Sequence, residues 1–107
     1  MKLITAIVNK EDSSEVQSAL TSNGFFVTRL ATTGGFLLSG NVTFLVATED
    51  EKVDRAIELI SEKSQKRKEF IPAATGFENG MTSTAPIEVT IGGATIFVQD
   101  IERFEKV

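Results

Sequence analysis

The chain has 107 residues, 41% hydrophobic and 24% charged, and carries a formal net charge of −4 at pH 7. That bounds it to one globular domain, large enough for a core but small for a self-sufficient enzyme. With no histidine and no cysteine, imidazole bases, thiol nucleophiles, disulfides and Cys/His metal sites are excluded.

Leu3 to Val8 is short, β-branched and almost continuously apolar, the pattern of a central strand covered on both faces. Asp12 and Glu15 fit a capping box, with Asp12 as N-cap and Glu15 at N3. Val16, Ala19 and Leu20 then repeat at helical spacing, and Asn23-Gly24 supplies a left-handed stop. Phe25 to Leu30 reads as a second strand and Val42 to Thr48 as a third. The segment between them, Ala31-Thr-Thr-Gly-Gly-Phe-Leu-Leu-Ser-Gly-Asn41, joins two glycines, two hydroxyls, a ring and an amide in one connection. A plain turn is the bland reading of it. A small-molecule clamp is the sharper one, because Phe36 after the Gly34-Gly35 bend needs something to cover its ring.

Glu49-Asp50-Glu51 places negative charge at the start of a second helix, whose buried stripe is Val53, Ala56, Ile57 and Ile60. The four cations Lys63, Lys66, Arg67 and Lys68 read as a solvated helix C-terminus complementing the dipole. Phe70-Ile71-Pro72 fits a short edge strand. Ala73 to Ala85 has no periodicity, and loops of that length in a compact domain tend to be functional. Phe77 and Met81 within it mark a surface for a protein partner. Ile87 to Ile91 and Ala94 to Val98 flank Gly92-Gly93, a two-residue hairpin signal. Gln99 to Phe104 reads as a short helical turn capped by Asp100.

This order makes a βαββαβ domain of the α+β class, a ferredoxin-like sandwich with both helices on one face of an antiparallel sheet. Two helices cover only one face, yet Leu3 to Val8 and Phe44-Leu45-Val46 are apolar on both. A second copy of the chain is the simplest cover, so an oligomer is expected. Net charge of −4 weighs against nucleic acid or an anionic membrane as partner. No apolar run approaches the ~18–20 residues of a membrane span, and the opening residues are too short for a signal peptide. A cytoplasmic location is therefore expected.

Ala31 to Leu37, Gly40-Asn41, Thr43-Phe44-Leu45 and Gly92-Gly-Ala-Thr-Ile-Phe-Val98 together resemble the cyclic-di-AMP receptor family of PII-like signal proteins. The resemblance covers essentially the whole chain. It implies a homotrimer, cyclic di-AMP held in clefts between subunits, no catalysis and no cofactor, and a signal relayed by loops to a downstream protein. By the same resemblance, Gly34 and Gly35 would present backbone to the nucleotide, and Phe36 and Leu37 would cover a base. Thr28 and Asn41 would hydrogen-bond the adenine edge, Thr32 and Thr33 would bond phosphate or stabilise the turn, and Phe97 would close the pocket. This chain has Gly24 and Phe26 where the family tends to polar or basic residues, Ala47 where glycine is usual, and Lys106 in the C-terminal region where a glutamine of the family can contact the ligand.

Two other readings stand beside it. One is a small nucleotide or phosphate enzyme resting on Glu11/Asp12 or Glu49/Asp50/Glu51, although carboxylates at helix starts are ordinary capping groups. The other is a nucleotide-independent homo-oligomeric interaction module that uses the Ala73–Ala85 loop.

Overall fold

The structure is a computed structural model that describes residues 1–30, 40–71 and 86–107. Strand β1 (Lys2–Asn9) is followed by helix α1 (Lys10–Ser22), β2 (Val27–Leu30) and β3 (Asn41–Thr48). A 3₁₀ turn over Asp50–Lys52 leads into helix α2 (Val53–Lys63), and then come β4 (Arg67–Ile71), β5 (Ile87–Ile91) and β6 (Ala94–Asp100). The main sheet has the order β2-β3-β1-β6, while β4 and β5 form a separate two-stranded ribbon. Every pairing is antiparallel, so β1 lies between two strands that run opposite to it. This is the ferredoxin-like α+β arrangement expected from the sequence, with the ribbon inserted before the last strand.

The alternation along the strands decides which face the helices cover. Ile4, Ala6 and Val8 on β1 and Val42, Phe44 and Val46 on β3 are buried, while their neighbours are only half-buried or exposed. Val16 and Leu20 of α1, Ala56, Leu59 and Ile60 of α2, and Phe25 complete the core. Phe44 is its largest fully buried side chain, and it sits opposite the smallest one on β1, Ala6. A large residue facing a small one fills the layer without a void. Of the expected α2 stripe, Ala56 and Ile60 are buried, Val53 and Ile57 are half-buried, and Leu59 joins them.

Several expectations need correction. The α1 cap is Asn9, whose side chain accepts from the Glu11 N–H at 2.8 Å, and not Asp12. The helix begins three residues earlier than the capping-box pattern implies, because β1 runs directly into it. Asp12 instead lies buried in the first turn, where its carboxylate receives both guanidinium nitrogens of Arg67 at 3.0 and 3.3 Å. Arg67 and Lys68 are therefore strand residues of β4, not a helix terminus, since α2 stops at Lys63. Gly92-Gly93 does connect β5 to β6, but the two do not pair as a hairpin: β5 pairs with β4 and β6 with β1. The chain uses the positive φ of both glycines (+86° and +84°) to leave one sheet and enter the other. A Cβ at Gly92 would stand 2.4 Å from the Gln65 carbonyl oxygen, so the two crossing segments are in direct backbone contact. The second strand begins at Val27 rather than Phe25, and the tail from Ile101 has no helical turn, since β6 extends through Asp100. The Ala73–Ala85 loop, with Phe77 and Met81, lies outside the described residues.

The Arg67–Asp12 pair joins the ribbon to α1 across 55 residues of sequence. Arg67 also donates to the Gln65 carbonyl at 3.2 Å and lies 3.6 Å from Glu11. Its pKa is raised above the ordinary arginine range, first by the hydrogen bond to Asp12. Arg67→Ala should lower the melting temperature by leaving a buried carboxylate without its partner. The same substitution in an Asp12→Asn background should lower it much less, and equal losses in both backgrounds would show that the pair is not what ties the ribbon down.

Candidate ligand site

The face of the sheet that the helices leave open carries the half-buried residues of the alternation. Leu3, Thr5 and Ile7 lie on β1, and Thr43, Leu45 and Ala47 on β3. Register carries one transverse row across all four strands of that face. Thr28 on β2 faces Leu45, Leu45 faces Thr5, and Thr5 faces Phe97 on β6. Phe97 is 56% exposed. The sheet thus presents a broad, partly apolar surface with nothing from its own chain laid over it among the described residues.

At one end of this face is a groove of about 610 Å³. Leu3, Leu45 and Ala47 form its sheet side, Thr28 enters from β2, and Gly24, Phe25 and Phe26 close it from the α1–β2 connection. Glu49 and Lys52 border it from the 3₁₀ turn, and Phe104 and Lys106 border it from the C-terminal tail. The tail is fixed at its start by the Ile101 N–H, which donates to the Met1 carbonyl at 3.1 Å, and by the Lys2–Asp100 ion pair. An apolar floor with a hydroxyl and a few charges at the rim is the usual make-up of a small-molecule site.

The electrostatics around the groove are local ion pairs. The Glu49 carboxylate is held below its ordinary range by its own backbone N–H and by Lys52, whose Nζ is 3.7 Å away. Asp50 is likewise held low by the N-terminal ammonium, which donates to it at 2.9 Å. The Lys2 ammonium is pushed up, first by its hydrogen bond to Asp100. Four of the five carboxylates that an enzyme reading would draw on therefore have a structural partner: Glu11 and Asp12 face Arg67, Glu49 faces Lys52, and Asp50 faces the N-terminus.

The residues expected to form a site are not gathered in one place within the protomer. Thr28 lines the groove. Asn41 lies at the far end of β3, opposite Asn9, in a second cavity of about 400 Å³ shared with Lys66, Gly92, Gly93 and Thr95. Four residues separate it from Leu45, about 13 Å along the strand. Phe97 stands on the opposite edge of the sheet from Thr28, three strand spacings or about 14 Å away. Thr32, Thr33, Gly34, Gly35, Phe36 and Leu37 lie outside the described residues. Conversely, Leu3, Leu45, Lys52 and Phe104 line the groove without having been singled out. Period-two alternation could have found Leu3 and Leu45, whereas nothing in the sequence ties Phe104 to β2.

Among the described residues no helix is long and apolar enough to cross a membrane. No group of three or more acidic, histidine or cysteine side chains among them could hold a metal ion. A solved structure of a functionally unknown protein from Pediococcus pentosaceus is similar to this chain, at 37% sequence identity and a TM-score of 0.74, over 99% of this chain and 96% of that one. The family profile described as cyclic-di-AMP receptor matches residues 1–107, the full length of the sequence. The chain belongs to the cyclic-di-AMP receptor family.

Proposed function

We propose that this protein is a PII-like signal protein that binds cyclic di-AMP in clefts between the subunits of a homotrimer and catalyses no reaction. The observation that carries the reading is the full-length match to the cyclic-di-AMP receptor family. The geometry supports the position of the cleft. Thr28 and Phe97 sit about 14 Å apart on one protomer, too far to grip one base from the same chain. Packing the open sheet face of one protomer against another brings the Phe97 edge of one copy to the groove of its neighbour. It also covers the half-buried Leu3, Thr5, Ile7 and Leu45.

In that cleft Thr28 and Asn41 hydrogen-bond the adenine edges, Asn41 offering a donor and an acceptor together. Gly34 and Gly35 let backbone approach the nucleotide, and Thr32 and Thr33 serve the phosphates or the turn. Phe36, Leu37 and Phe97 cover the bases, each aromatic contact adding about 0.5–1.5 kcal/mol beyond its buried area. Ligand binding then orders or moves the connecting loops, which a downstream protein reads in the cytoplasm. Isothermal titration of the purified protein with cyclic di-AMP should give saturable heat, with cyclic di-GMP as the control that gives none. Absence of heat, together with no rise in melting temperature at saturating cyclic di-AMP, would overturn the ligand assignment.

A further inference from the structure

Strands β4 and β5 form a ribbon of five residues each, packed on one another and hardly at all on the other described helices and strands. The Arg67–Asp12 pair and the Gly92–Gln65 contact hold it to the body at the end where β4 begins and β5 finishes. A two-stranded ribbon is marginal by itself, and a third strand is what ordinarily secures one. Its two outer edges differ. β4 carries Arg67, Lys68 and Glu69, the kind of charges that blunt an edge against further pairing. β5 reads Ile-Glu-Val-Thr-Ile over 87–91, a β-branched alternation with a single charge. Among the described residues β5 pairs only on its β4 side. About 17 Å of backbone donors and acceptors therefore lies open along its other side.

Alternation puts Ile87, Val89 and Ile91 on one face of β5, with Ile87 exposed and the other two half-buried. Glu88 and Thr90 take the opposite face and are both exposed. Glu88 lies 3.5 Å from Lys68 yet keeps 48% of its side chain exposed. An added strand would meet an apolar side chain at every second position and one carboxylate between them. The net charge of −4 opposes a second copy of this chain as the source of that strand. The same charge, and Glu88 within the edge, favour a cationic segment.

We infer that the open edge of β5 accepts an extended segment of another protein as a third strand. That segment alternates apolar residues with polar ones and sets a lysine or arginine opposite Glu88. Main-chain hydrogen bonds supply the attachment, and the side-chain alternation fixes the register. The inference goes beyond the proposed function, because the edge belongs to the ribbon and its recognition requires no nucleotide.

The test is an NMR titration of the isotope-labelled full-length protein with the capped peptide Lys-Val-Thr-Val-Lys-Val-Lys, whose central lysine stands opposite Glu88 in an antiparallel register. The amides of residues 87–91 should shift and approach saturation by about 1 mM peptide, while those of Thr28 and Leu45 stay in place. Two further peptides carry N-methyl groups, one on its valines and the other on its threonine and central lysine. Only one of these sets faces β5, so one peptide should bind like the parent and the other at least about tenfold more weakly. A peptide with glutamate at the central lysine should bind about fivefold more weakly and regain affinity for a Glu88→Lys protein. No shift in β5 at about 1 mM peptide overturns the inference, as do N-methylated peptides that bind alike. Sedimentation that shows copies joined through this edge, with the peptide excluded, also overturns it and assigns the edge to self-association.

Discussion

Phe44→Ala is expected to cost about 3–5 kcal/mol, the range for truncating a large buried aromatic residue, and to lower the melting temperature by roughly 15–30 °C. Phe44 is fully buried on β3, facing Ala6 of β1, and belongs to the layer that α1 and α2 cover. Ala6 is too small to collapse into the space, and Ile96 on its far side is part of the β6 edge. The cavity would therefore persist rather than close. Differential scanning calorimetry checks the size of the loss, with Phe26→Ala as the comparison, since that ring makes no part of the core. A drop of only a few degrees for Phe44→Ala would mean that the two-layer core is not where the stability lies.

Thr5→Arg should have the second large effect, on assembly rather than on folding. Thr5 lies in the middle of the open face, flanked by Leu45 and Phe97 in the transverse row. In an isolated protomer an arginine there can reach water along the open face. In a trimer packed through that face it buries a charge at each interface, with a cost of order 3–5 kcal/mol apiece when unpaired. Sedimentation should show monomers in place of trimers, and cyclic di-AMP affinity should fall by at least about thirtyfold. A trimer that persists with unchanged affinity would move the interface elsewhere.

The fold was legible because its signals were periodic. The alternation of β1 and β3, the stripe of α2 and the order of elements all follow from which face each side chain must hide, and that is written in spacing. The failures share a different cause, a tertiary contact overriding a local pattern. Asp12 has the look of a cap, but Arg67, 55 residues away, claims its carboxylate while Asn9 caps the helix. Gly92-Gly93 has the look of a hairpin, but β1 offers β6 a longer edge than β5 does, and the glycines serve a crossing between sheets. Local propensity after Asp100 favours a helical turn, whereas the Ile101–Met1 hydrogen bond and the Lys2–Asp100 pair fix the tail beside β1.

The site was legible in a different way. Only a family resemblance links Thr28, Asn41 and Phe97, and register explains why no local pattern joins them. They occupy three separate strands and lie more than ten ångströms apart by strand geometry. Phe26 and Lys106, noted in the sequence only as departures from the family, line the same groove as Thr28. Their joint placement depends on the tail's return to β1, which sequence spacing does not encode.

The most direct test of an intersubunit cyclic-di-AMP site is a crystal structure of the protein with the nucleotide bound. The expected result is a trimer in which one adenine touches Thr28 of one protomer and Phe97 of its neighbour. A nucleotide held by a single protomer, or seated away from the open sheet face, would contradict it.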